Sequence, residues 1–274
     1  IFTLIVDTFL NAVKGVGMGS TERRERERRE LRARILDAAR DLFAAEGVDA
    51  VTMRRVADRI EYSQAALYFH FKDKTEILRT VLEEDFLTFA RALGTAGTVS
   101  DPVERLRAAG HAYLTFAKEH PLHYRLMFLT PLPAEILEDP ACPGKPPGGA
   151  GTPEEDAYSF IRGAVAYAME QDCFRPELTD VDLVCQLLHA ACHGVASLRI
   201  CQGELNTLPW CPFDLLEREA IETALRGILR RYTAPLEVGP PSPASLQSLA
   251  AMGRSAPAPA ITPPTKTRKS SKKS

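Results

Sequence analysis

The residues with the most specific chemistry lie close together between 52 and 74. The carboxamide of Gln64 can pair at two points with N6 and N7 of an adenine, and the Ala65 side chain beside it offers only a methyl, suited to the methyl of a thymine. Arg54 carries a planar fork of donors that fits a guanine edge or a phosphate, and Arg55 shares its outward face. Thr52 and Ser63 are hydroxyl residues placed where helices start, so side chain and free N–H groups together favour an anion such as phosphate. This is a chemistry of recognition rather than of bond breaking. The chain has no GxSxG, P-loop, HExxH or glycine-rich dinucleotide turn, so no enzyme is expected.

Short helices must position these groups. Ile35, Leu36, Ala39, Leu42 and Phe43 recur at helical spacing and stop at Gly47, a residue suited to close a helix. Thr52 then caps MRRVADRI, in which Met53, Val56, Ala57 and Ile60 face inward while Arg54, Arg55, Asp58 and Arg59 face out. After Glu61 and Tyr62, Ser63 caps a third helix over 64–71. Two short helices joined by about three residues make the helix-turn-helix pattern. A fourth helix opens near Asp73 and Lys74 and runs to about Leu93.

Residues 31–78, above all VTMRRVADRIEYSQAALYFHFKDKTEIL at 51–78, closely resemble the DNA-binding domain of TetR-family (tetracycline-repressor-like) transcriptional regulators. The shared pattern is apolar-Thr-x-Arg-x-Val-Ala, a short turn, then Ser-x-x-x-Leu-Tyr-x-His-Phe-Lys-x-Lys. The resemblance implies that Tyr68, His70 and Lys74 clamp phosphates beside the base-reading end of the third helix. Glu61 departs from the pattern, which carries Gly there, so the turn is expected to be built without a residue free at φ > 0. The competing reading is a helical interaction protein that uses the same bundle to bind protein.

Charge divides the 274 residues unevenly. Residues 20–80 hold 14 basic against 12 acidic side chains, residues 81–232 hold 13 against 22, and residues 233–274 hold 6 against 1. The ends suit a polyanion and the middle does not. TERRERERRELRAR at 21–34 reads as a solvated helix face or as an arm lying along a phosphate backbone. With 45% hydrophobic and 26% charged residues, and helix formers dominant, the fold class is all-α. The expected plan is a leader over 1–19, non-native or disordered, since the first Met is Met18; a three-helix helix-turn-helix DNA-binding domain over 20–80; an α-helical ligand-binding and dimerisation domain over 81–232; and a disordered basic tail over 233–274. In the middle, helices are expected from Asp101-Pro102 to His120, over 122–129, 154–170, 179–201 and 212–232, with 131–153 as loop.

HPLHYRLMF at 120–128 and LLHAACHGVASL at 187–198 are similar to a subgroup of TetR C-terminal domains with a Trp-His-Gly signature, although Cys192 stands in place of the Trp. That likeness implies a homodimer built on 179–201 and 212–232, and a small apolar effector. Tyr113, Phe116, Tyr124, Met127 and Phe128 are candidates to line its pocket, with Phe160 and Tyr167, although each is equally explained as helix-bundle core. Cys185, His189, Cys192 and His193 fall at i, i+4, i+7 and i+8 on one helix face, a spacing open to a soft metal or a thiol switch. One helix closes a tetrahedron poorly, so neither metal nor cofactor is expected. Six cysteines without a CxxC pair suit free thiols in the cytoplasm, and the apolar N-terminal run is too short to span a membrane. The chain thus reads as a cytoplasmic repressor released from a palindromic double-stranded operator by a small molecule.

Overall fold

Among the residues described by the computed structural model, 2–137, 156–202 and 210–232, the chain folds into α-helices and no strand. In order they are α1 (Phe2–Glu46), α2 (Met53–Arg59), α3 (Gln64–Tyr68), α4 (Lys74–Gly94), α5 (Pro102–Glu119), α6 (Pro121–Phe128), α7 (Ala134–Leu137), α8 (Ala157–Glu170), α9 (Val181–Gln202) and α10 (Phe213–Ile228). Side chains are described from Thr21 onward. The stretch expected as a leader continues α1 toward Phe2, while Cys142, most of the proline- and glycine-rich loop and the basic tail over 233–274 lie outside the described residues.

Local chemistry sets the helix starts. Oxygens of Thr52, Ser63, Asp73, Asp101 and Asp156 accept hydrogen bonds from the first free N–H groups of α2, α3, α4, α5 and α8. Gly47, at φ +82°, closes α1 with its N–H donating to Phe43 O. α3 is shorter than its sequence suggests. The N–H groups of His70 and Phe71 both turn onto Leu67 O, carrying Phe71 into the core and leaving Phe69 72% exposed. α7 lies in a stretch expected to be loop, where proline flanks hide a single turn anchored by buried Ile136.

The N-terminal head is built on Ile35, Ala39 and Phe43 of α1, against which Leu67 and Phe71 are also buried. α4 belongs to head and body alike, since it packs on α1 and also on α5, α6 and α8. In the body, α5 is central and touches α4, α6, α8, α9 and α10. Gly110 allows the approach of α5 to α10, because a Cβ there would meet Ile221 Cγ1 at 3.2 Å. Between the same helices, buried Arg107 pairs with buried Glu222, Nε to Oε1 at 2.6 Å.

The turn between α2 and α3 corrects one expectation. Glu61 itself takes the left-handed conformation, φ +60°, although it has a Cβ. Its N–H donates to Asp58 O and the next N–H to Ala57 O, so the turn keeps the shape that the absent glycine would have supplied. The conformation costs a side-chain-bearing residue about 1–2 kcal/mol, partly offset because glycine loses more entropy on folding. Glu61→Gly is therefore expected to raise stability by about 0.5–1 kcal/mol in urea unfolding. Unchanged or lower stability would show that the Glu61 side chain makes contacts that outweigh the strain.

Candidate nucleic-acid interface and ligand cavity

Gln64, Ala65 and Tyr68 form an exposed face on α3, with the exposed caps Thr52 and Ser63 beside it. Gln64 Nε2 donates to Tyr68 Oη at 3.3 Å, which steadies an amide that would otherwise swing freely. Arg54 is fully solvated and lies 3.7 Å from Asp58. Arg55 is drawn the other way, to Glu46 at 2.7 Å, an exposed pair that raises its already high pKa. Lys74 is half-buried and donates to Val48 O at 2.8 Å, so it ties α4 to the loop before α2. His70 is held below the usual imidazole range by burial and then by the Arg28 and Arg32 guanidiniums. At neutral pH its ring is therefore uncharged.

Those arginines belong to the 21–34 stretch that reads from sequence as a solvated helix face or as an arm along a phosphate backbone, without any one of them being singled out. Arg28 lies over the ring of Phe69 at 5.5 Å and Arg32 over Phe71 at 4.3 Å, while Arg34 covers Tyr62 at 5.2 Å and donates to Ile60 O. The four-residue step between Arg28 and Arg32 puts them on one face of α1 and was visible in the sequence; their aromatic partners were not.

Where head meets body, charge is buried. Asp85 of α4, 1% exposed, accepts from Arg40 Nε of α1 at 2.9 and 3.2 Å. His123 of α6 brings Nδ1 to 2.9 Å from the same carboxylate without hydrogen-bond alignment. Asp37 and Glu84 face the other nitrogens of Arg40 from the surface.

In the body, a cavity of about 270 Å³ is walled chiefly by Phe86 and Phe89 of α4, Tyr113 of α5, Phe128 of α6, Ile161 of α8, His189 and Cys192 of α9, and Leu225 of α10. Behind the wall, Tyr113 Oη meets Tyr124 Oη at 2.8 Å, and Tyr124 Oη meets His193 Nδ1 at 2.6 Å. Burial pushes the Cys192 thiol up to about 12 and that of Cys185 to about 11, so both stay protonated and poorly nucleophilic. The five cysteines among the described residues are unpaired, and no His, Cys, Asp and Glu cluster there has the arrangement of a metal site.

A family model for bacterial regulatory proteins of the tetR family matches residues 35–81, and one for the tetracyclin repressor-like C-terminal domain matches residues 106–223. The chain belongs to the TetR family. Among curated relatives, the HTH-type transcriptional activator FasR of Mycolicibacterium smegmatis is 35% identical over 102 residues, which is 37% of this chain and 47% of FasR. The match thus spans less than half of that relative. Solved structures extend the likeness of fold. A Rhodococcus sp. RHA1 protein of unknown function has a TM-score of 0.54 at 25% identity, covering 73% of this chain and 96% of its own. SmeT, the repressor of the Stenotrophomonas maltophilia efflux pump SmeDEF, has a TM-score of 0.53 at 24% identity, covering 77% and 97%.

In this TetR-family chain the expected pocket residues separate. Tyr113 and Phe128 line the cavity. Phe116 is buried against Phe89, Tyr124 is fully buried behind Tyr113, and Met127 is buried in the core. Phe160 packs half-buried against the core from α8, and Tyr167 lies at the surface under the Arg105 guanidinium at 5.1 Å.

Proposed function

We propose that this TetR-family chain is a cytoplasmic homodimeric repressor that reads a palindromic double-stranded operator with α3 and releases it when a small apolar molecule enters the cavity. The observation that carries the reading is the exposed α3 face, on which Gln64 and Ala65 occupy the N-terminal end and Tyr68 the next turn. Thr52, Ser63, Arg54, Arg55, His70 and Lys74 surround it as phosphate-contacting groups, Lys74 also through the loop that it ties down. In this plan residues 20–80 read DNA, and residues 81–232 bind the effector and dimerise.

A second copy has a place to dock. The apolar run Val181–Cys201 of α9, with mean hydropathy 1.3, is long enough to cross a membrane by length and composition, yet only 28% buried. Leu183 and Leu187 are each 44% exposed there. Pairing α9 and α10 with their copies would cover this face and hold two α3 helices at a separation matched to half-sites on DNA. The effector acts if it favours a spacing that misfits successive grooves.

The test begins with selection of bound sequences from a random DNA library. On the selected site, Gln64→Ala is expected to cost about 1–3 kcal/mol and to relax preference at one position, while binding to random DNA hardly changes. Equal losses on every sequence would remove Gln64 as a base reader, and failure to enrich any sequence would favour the protein-binding alternative.

A further inference from the structure

The cavity wall is almost free of uncommitted polar groups. Tyr113 spends its hydroxyl on Tyr124, and Tyr158, at the cavity edge, donates to Asp182 at 2.6 Å. Among the described residues no Lys or Arg lines the cavity, and the one charged lining group is Asp156, whose carboxylate caps α8 and accepts from Ser159 Oγ at 2.6 Å. Gln186 is uncommitted too, and like His189 it is exposed, but it has no ring neighbours to orient it.

His189 differs from all of these. Its ring lines the cavity, remains accessible to solvent, and is held on three sides: stacked on His193 at 5.4 Å and 12°, edge-on to Tyr113 at 5.7 Å, and tilted against Phe128 at 6.0 Å. His193 uses both nitrogens, Nδ1 with Tyr124 and Nε2 with Ser197 Oγ at 3.2 Å. Neither nitrogen of His189 has a hydrogen-bond partner among the described residues.

We propose that His189 is the polar anchor of the cavity and that the effector is an uncharged, mainly apolar molecule bearing a hydroxyl group that hydrogen-bonds to this imidazole. Burial, and then the neighbouring His193, hold the His189 pKa below the usual range, so at neutral pH the ring presents one donor and one acceptor. A hydroxyl satisfies either tautomer, because it donates as well as accepts. A carboxylate would lose its hydration with no cation in the wall to replace it, and Asp156 would repel it. The lining carboxylate that an ammonium group could meet, Asp156, is already engaged by the Tyr158 N–H and Ser159 Oγ. The aromatic wall and the volume of about 270 Å³ suit one ring with a short alkyl chain.

The inference rests on the reading of the cavity as the effector site, and two separate readouts test the two. Calorimetry on the full chain compares para-hexylphenol with its methyl ether, para-hexylbenzoate and para-hexylbenzylamine. The phenol is expected to bind at least tenfold more tightly than each of the others. His189→Phe, which keeps a ring in the stack, should reduce the phenol preference over the ether to less than twofold, and His189→Gln should restore at least threefold. Circular dichroism verifies that both variants fold. Equal affinity of phenol and ether for the unaltered protein, tightest binding of the benzoate or the amine, or retention of selectivity in His189→Phe would each overturn the assignment. The second readout is affinity for the selected DNA site with and without the phenol. Selective binding that leaves DNA affinity unchanged sinks the effector reading and keeps the anchor; absence of binding by every probe sinks both.

Discussion

Asp85→Ala is expected to remove about 3 kcal/mol of stability, an effect large enough to shift the urea unfolding midpoint plainly. The substitution leaves the Arg40 guanidinium buried with its main partner gone, and an unpaired buried charge costs far more than the pair contributed. The lower end of the usual range of about 3–5 kcal/mol applies because Asp37 and Glu84 still face Arg40 from solvent. Two further variants separate the causes. Asp85→Asn keeps an acceptor for Arg40 Nε and should lose less, while Arg40→Met combined with Asp85→Leu removes both charges and should recover most of the loss. A loss below about 1 kcal/mol in Asp85→Ala would mean that water reaches Arg40 and that the pair is not buried in solution.

Glu222→Ala should be at least as damaging, at about 3–5 kcal/mol, because Arg107 is 4% exposed and would lose the buried carboxylate that its Nε meets at 2.6 Å. Tyr232 loses its acceptor in the same step, Glu222 Oε2 at 2.5 Å. Burial alone would push the Glu222 carboxyl up, but the hydrogen bonds from Arg107 and Tyr232 outweigh it and hold its pKa below the usual carboxylate value. The sign for stability follows. A depressed acid contributes fully above its unfolded pKa of about 4.3, and that contribution disappears as pH falls through the folded value. Acid unfolding of the parent protein should thus steepen below about pH 4.3, and Glu222→Ala should have the shallower slope there. Parallel curves would assign the acid sensitivity to other carboxylates.

The parts of the molecule legible in advance are those decided within a few residues. Thr52, Ser63 and Asp101 announce helix starts because a cap bonds to N–H groups two or three positions on, and Gly47 announces a stop for the same local reason. Gln64 and Ala65 follow from their position just after the Ser63 cap, whereas Tyr68 comes from the family resemblance, since by itself an aromatic there reads equally as core. Arg40 and Asp85 are 45 residues apart, and on their own helices each reads as an ordinary charged side chain. Their pairing depends on how α1 crosses α4, which periodicity does not encode. The cavity lining is legible only in part, at Tyr113 and Phe128, for a related reason. Helical spacing separates inward from outward, but it does not separate an inward residue that meets another helix, such as Phe116, from one that borders a void, such as Phe89. His189 was noticed for its spacing to cysteines, whereas its partners proved to be the rings of His193, Tyr113 and Phe128.

Asp85 also bears on modularity. It sits in the second half of α4, beyond the last residue that the DNA-reading head would claim by sequence, yet the carboxylate that neutralises the head's buried Arg40 is its own. A head cut at residue 80 and grafted onto a foreign body would carry Arg40 without its buried carboxylate, with Asp37 facing it from the surface. Head and body are therefore not independent building blocks, and a chimaera that retains cooperative melting has to be joined after Gly94, with α4 transferred whole.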